Sequence, residues 1–165
     1  MKAVWTSFGD RLTGQLVAWA TRRIWSSSRF LGPASAMAVM DGDQLVAVMV
    51  YHNFHREEGV VEISGAADRK DWLKRHILWE MFSYPFDALG CQAVVMRVDS
   101  RNGSGLRGIQ RILRAYGFTE HRLPHMRGKG RDELVFILGI DEWRANGFHH
   151  PTDIAKNTGQ SLEIA

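Results

Sequence analysis

Two adjoining stretches of this chain gather side chains that can do chemistry. In the first, Tyr51-His52-Asn53-Phe54-His55 closes one apolar run, and Glu62 and Ser64 stand in the next, Val60-Val61-Glu62-Ile63-Ser64-Gly65-Ala66. Antiparallel pairing of the two runs would bring the histidines near Glu62. Alternation would send Glu62 and Ser64 to one face and Ile63 and Gly65 to the other. A histidine titrating near about 6.5 can take a proton at neutral pH, which makes His52, and less so His55, a candidate base. The competing reading leaves Glu62 an outward-facing strand residue and the histidines polar surface. His52, His55 and Glu62 also have donor types for a metal, but two ligands three apart on a strand end face different ways, and no metal is expected. The second stretch runs Ala66-Ala67-Asp68-Arg69-Lys70-Asp71-Trp72-Leu73-Lys74, a strand end passing into a helix start. Free backbone N–H groups, the positive end of the helix dipole and the cations Arg69, Lys70 and Lys74 can converge there on a phosphate. Alternatively Asp68 caps the helix and the three cations form its solvated face.

These groups need a scaffold, and hydrophobic periodicity supplies one. Asp10 can cap a helix with Leu12, Leu16, Trp19 and Ala20 on one face and Arg22 and Arg23 near its end, closing near Ser26. Two strands, residues 36–40 and 45–51, flank Asp41-Gly42-Asp43, a hairpin signal. Residues 60–66 form the next strand. From residue 71 to 82 the period lengthens, placing Leu73, Ile77, Leu78, Met81 and Phe82 on one helical face, and Pro85 stops or kinks that helix. Residues 93–98 are strand again. A helix bearing Leu106, Ile109, Leu113 and Tyr116 follows and closes at Gly117, an αL cap, with Phe118 packing back. Residues 119–131 are polar and basic, a short strand and a loop, before a last strand at 133–140 and a turn of helix at Asp141-Glu142-Trp143-Arg144. A strand–helix–strand unit from 60 to 98 predicts a right-handed parallel crossover inside an otherwise antiparallel sheet.

Composition bounds the function class. With 165 residues and 45% hydrophobic content, one domain over residues 1–146 is expected, and the polar residues 147–165 read as an extension that could reach a second subunit in a homodimer. The formal charge of +3 suits an anionic ligand or nucleic acid without choosing between them. Arg107, Arg111 and Arg114, with His121, Arg122, His125, Arg127, Lys129 and Arg131, could supply phosphate contacts to nucleic acid, although ordinary solvated surface is the favoured reading. Cys91 stands alone, which excludes an internal disulfide and a cysteine-based zinc site. No run approaches a membrane span, so a cytoplasmic protein with no membrane partner is expected.

The order of elements, with the hairpin at Asp41-Gly42, the turn from Ala66 to Trp72, the strand ending Val98-Asp99-Ser100-Arg101-Asn102 and the helix closing Tyr116-Gly117-Phe118, resembles the GNAT superfamily of N-acetyltransferases. The run into Asp141-Glu142-Trp143 is similar to its ribosomal-protein-acetylating branch and to small phage-encoded GNAT-like proteins. The resemblance implies an α/β (α+β) fold: a mixed, mostly antiparallel sheet with a central parallel pair, a split between strands 4 and 5, and helices on both faces. It implies transfer of an acyl group from acetyl-CoA to an amine of a small molecule or protein. Glu62 or His52 would be the general base, with Tyr51 beside them. Ser64, Ala66 and Ala67, at a bulge that frees backbone groups, and Arg69, Lys70, Lys74 and Asn102 would hold the co-substrate. The family's pyrophosphate loop carries glycines where this chain has Trp72 and Lys74, and its acid tyrosine falls at Leu113, leaving Tyr116 as core. A second reading makes the chain a GNAT-shaped protein that modifies or binds nucleic acid, or a non-catalytic binding module.

Overall fold

The computed structural model describes residues 1–102 and 108–146. Along the chain come β1 (Lys2–Thr6), α1 (Arg11–Trp25), β2 (Ser35–Asp41), β3 (Gln44–His55), β4 (Val60–Ala67), α2 (Arg75–Ser83), a π-helical turn (Tyr84–Ala88), β5 (Ala93–Asp99), α3 (Ile109–Tyr116), β6 (Thr119–Leu123), β7 (Glu133–Gly139) and α4 (Ile140–Ala145). The seven strands make one sheet in the order β1-β2-β3-β4-β5-β7-β6. Every neighbouring pair is antiparallel except β4 and β5. The fold class and the parallel crossover expected from the sequence are both present.

Local chemistry explains most boundaries. The β2–β3 hairpin closes through Gly42 and Asp43, and Gly42 takes the positive φ, 59°, that the first central position of a tight hairpin requires. Pro85 has no N–H to give the α-helical ladder, and the chain widens into a π turn in which Leu89 N–H donates to Tyr84 O at 3.0 Å. Gly117, at φ 109°, ends α3; its N–H donates to Arg114 O and that of Phe118 to Leu113 O, while Phe118 packs on Phe82 and Tyr116.

Three expectations need correction. Leu12 is exposed, because the buried stripe of α1 runs through Thr13, Leu16, Val17 and Ala20. The Asp10 carboxylate caps no amide of α1 and instead accepts from Ser7 N–H at 3.0 Å. The second helix begins at Arg75 rather than near residue 71. Arg69 is tied to Asp41 and Asp71, and Lys74 N–H donates to Trp72 O, so residues 68–74 form an irregular connection whose Trp72 and Leu73 pack on the core.

The sheet divides the interior in two. One face packs Val48, Val50, Ala36 and Ala38 against Leu16, Val17 and Ala20 of α1. The other holds the larger cluster, in which Ile77, Met81 and Phe82 of α2, Leu113 and Tyr116 of α3 and Trp143 of α4 cover Val61, Ile63, Val94, Met96, Leu134 and Phe136. α1 lies over β2, β3 and β4. The parallel ladder is short: only Val60, Val61 and Glu62 find partners, in Ala93, Val94 and Val95. Beyond it β4 stays with β3 as far as Ala67, and β5 stays with β7 as far as Asp99, so the two strands splay into a V.

Candidate functional site

A cleft of about 1120 Å³ opens where β4 and β5 part. Alternation decides which backbone groups face it. Asp68 N–H donates to Val46 O at 2.9 Å, so the even-numbered residues before it, Ser64 and Ala66, spend their main-chain groups on β3. The odd-numbered Gly65 and Ala67 turn theirs toward β5, past the end of the parallel ladder. Of Ser64, Ala66 and Ala67, only Ala67 offers its backbone to the split, and Gly65 takes the place of the other two. The ladder irregularity is on β3, not β4: residues between His52 and His55 bulge, with Asn53 at φ 49°.

That bulge positions the carboxylate. Asn53 Nδ2 donates to Glu62 Oε2 at 2.9 Å, and Glu62 lines the cleft. His52 faces Glu62 across the ladder and is 4% exposed, with Nε2 2.8 Å from Ser64 Oγ and 3.9 Å from Glu62 Oε1. Burial pushes the imidazole pKa down; Glu62 opposes this and Arg97 adds to it. The ring, favoured in its neutral form, bonds Ser64, which lines the cleft while His52 does not. His52 Nδ1 is buried with no hydrogen-bond partner among the described residues. His55 is exposed at the strand end, apart from this pair.

Tyr51 does not join them. It belongs to the opposite face, where its hydroxyl donates to Met81 O at 2.8 Å and its ring packs on Trp5 and Tyr84. Burial, and then Tyr84 and Glu80, hold its pKa well above the usual phenol value. It has no route to a substrate beside Glu62.

The phosphate-binding candidates separate as well. Asp68 takes two hydrogen bonds from Arg23, at 2.7 and 2.8 Å, and is no helix cap. Arg69 bonds Asp71 at 2.9 and 2.6 Å and Asp41 at 2.5 Å, which raises its already high pKa. Arg69 and Lys70 line the cleft, while Lys74 is the residue preceding α2 and does not. The first turn of α2 holds no acidic residue, so its free N–H groups keep a positive environment. Asn102 lines the cleft as a turn residue, its N–H donating to Asp99 O at 2.8 Å and its carbonyl accepting from Gln110 Nε2 at 2.7 Å. Leu113 and Tyr116 form part of the far wall, and burial raises the Tyr116 pKa.

Sequence reading missed a charged group on the Glu62 face. Arg97 donates to Glu133 Oε2 from Nε at 3.1 Å and Nη2 at 2.6 Å, and Arg127 Nε lies 2.8 Å from Glu133 Oε1. Glu133 is 1% exposed. A signal existed, since Arg97 interrupts the apolar run of β5 and must face away from Met96 and Val98. Trp25 and Arg29 enter the cleft from the end of α1, the guanidinium 4.7 Å from the indole centroid.

The remaining basic residues are largely neutralised: Arg114 pairs with Glu120, Arg122 with Asp132 and Arg131 with Asp99. Leu106, Arg107 and the 147–165 extension lie outside the described residues. Among the described residues no cluster of three or more His, Cys, Asp or Glu could hold a metal, and no helix is long and apolar enough to cross a membrane.

No protein-family model and no curated protein matches the sequence. Solved structures do match in three dimensions. The spermidine/spermine N-acetyltransferase SpeG of Vibrio cholerae aligns over 88% of this chain and 99% of its own, at 12% identity and a TM-score of 0.67. A Chromobacterium violaceum structure assigned to the GNAT family of acetyltransferases aligns at 22% identity and a TM-score of 0.54, over 67% of this chain and 61% of its own. An acetyltransferase-like structure from T. thermophilus gives 20% and 0.56, and the match spans only 62% of that chain. At these identities the likeness concerns the architecture, and the chain has the GNAT acetyltransferase fold.

Proposed function

We propose that this protein is an acyl-CoA-dependent N-acyltransferase that takes acetyl-CoA as co-substrate and acts on an amine. The observation that carries the reading is the three-residue parallel ladder followed by a splay, which leaves Gly65 and Ala67 facing an open cleft beside Glu62. Extended main chain with unladdered N–H and C=O groups suits a pantetheine arm, and an N–H there suits the oxygen of a thioester carbonyl. Acetyl-CoA, when bound, supplies that carbonyl and a thiolate leaving group. The pyrophosphate would lie where Arg69 and Lys70 meet the start of α2, held by backbone and charge without the usual glycines. Asn102 would sit at the opposite lip of the cleft.

Glu62 is the proposed general base. Asn53 fixes one carboxylate oxygen, and the other remains to accept a proton from the incoming ammonium, directly or through water. His52, buried and neutral, holds Ser64 and flanks Glu62, so it serves as a positioning residue. Thiol release from acetyl-CoA, measured against a panel of amines, tests the assignment. Glu62→Gln should lower kcat by roughly 10²- to 10⁴-fold with little change in acetyl-CoA affinity. Undiminished turnover in that variant would remove Glu62 from the mechanism.

A further inference from the structure

On the α1 side the cleft becomes a groove with its own charge pattern. Trp25 and Arg29 at the end of α1, Arg127 and Arg131 in the connection before β7, and Glu62 and Arg97 on β4 and β5 all line it. The carboxylates here are mostly committed. Glu133 serves Arg97 and Arg127, and Asp99 serves Arg131. Among the described residues of the groove, that leaves Glu62, held by neutral Asn53, as the carboxylate not paired with an arginine. A polycationic acceptor needs several such carboxylates and would find arginines in their place.

The cations are less fully matched. Arg29 has no carboxylate partner among the described residues; its guanidinium lies over Trp25, an arrangement that leaves its in-plane N–H donors for an anion. Arg97 directs Nε and Nη2 at Glu133 while its side chain remains 44% exposed, so part of the guanidinium fork also faces the groove. An oxyanion here would meet charged donors on two exposed guanidinium groups.

Resting on the acyl-transfer reading above, we propose that the acceptor is an amine that also carries an anionic group, a carboxylate or a phosphate. Its nitrogen lies at Glu62, and its anion is taken by Arg29 and the free edge of Arg97. The groove thus selects against polyamines and for short anionic amines.

The test uses four probes of similar reach: 4-aminobutyrate, 3-aminopropyl phosphate, butylamine and 1,4-diaminobutane. Thiol release at saturating acetyl-CoA gives kcat/KM for each, and calorimetry gives acetyl-CoA affinity and the binding of each probe to the same 165-residue chain. At least one anionic amine should exceed the diamine by roughly tenfold to a hundredfold, the worth of a charge-assisted hydrogen bond. The carboxylate and phosphate arms separate the two anion types. Arg29→Gln should cut that preference by roughly tenfold, Arg97 keeping the remainder. A diamine that equals or betters both anionic amines overturns the proposal. So does an Arg29→Gln variant that lowers all four probes alike, or that weakens acetyl-CoA while the preference stays intact. Failure of the acyl-transfer reading looks different: acetyl-CoA would not bind and no thiol would appear. Arg29-dependent binding of an anionic amine would even then support the groove assignment, and its absence would overturn it.

Discussion

Replacing Glu133 with glutamine removes one charge from a place with little water. The carboxylate is 1% exposed and accepts from Arg97 at 2.6 and 3.1 Å on one oxygen, with Arg127 2.8 Å from the other. Glutamine keeps the shape, so no cavity opens, but it turns one acceptor into an NH₂ donor aimed at a guanidinium. Arg97 is 44% exposed and water can resolvate it, which limits its share to about 1 kcal/mol or less. Arg127, 17% exposed, loses its ion-pair partner; its Nε–H is not aligned for a hydrogen bond to Glu133, so the loss is about 1–2 kcal/mol. The expected destabilisation is therefore about 1–3 kcal/mol, a fall in Tm of roughly 2–12 °C for a chain of this size. Differential scanning calorimetry gives the shift, and urea titration gives the free energy with an unchanged m-value. The double variant Glu133→Gln with Arg127→Gln should recover part of the loss, because the one charge left without its carboxylate, Arg97, is 44% exposed and can be resolvated. A single variant within about 0.5 kcal/mol of wild type would refute the reasoning, since it would mean that water already serves this cluster.

Two further perturbations probe β4 and its neighbour β3. A Cβ at Gly65 would overlap Sδ and Cε of Met49 and lie 3.2 Å from Val48 O, so Gly65→Ala should cost about 1–3 kcal/mol, seen as a lower urea midpoint. Adding Met49→Ala should relieve the clash, and an undisturbed single variant would show that Met49 moves aside freely. The His52 pKa is lower in the fold than the 6.5 of a free side chain, so below pH 6.5 the unfolded chain binds the proton first. Its contribution is complete above that pH and is lost as pH falls toward the folded value, at up to about 1.4 kcal/mol per pH unit. Urea midpoints at pH 7.5 and 5.5 should converge more closely in His52→Gln than in wild type; equal declines would contradict a buried neutral imidazole.

The architecture was legible because its signals are local. Asp41-Gly42-Asp43 marked the hairpin, Gly117 the end of α3, and the change of period after Ala67 the crossover that makes β4 and β5 parallel. Antiparallel pairing also brought His52 beside Glu62 as expected, although His55 falls opposite Val60 instead. What escaped depended on partners far apart in sequence. Asp41 and Asp71 capture Arg69 and delay α2 to Arg75, and nothing in residues 68–74 alone announces it. Tyr51 stood one residue from His52 and so fell on the opposite face, a consequence of period two that its proximity in the chain concealed. The Arg97–Glu133–Arg127 group draws on β5, β7 and the loop between β6 and β7, and only the folded sheet brings these together.

Calorimetric titration of this 165-residue chain with acetyl-CoA asks whether the split between β4 and β5 holds a pantetheine without a glycine-rich pyrophosphate loop. One site per chain is expected, with a Kd in the range of roughly 1 µM to 1 mM and a negative heat-capacity change from burial of the acyl arm. Absence of binding heat at millimolar acetyl-CoA, at two temperatures, would contradict it.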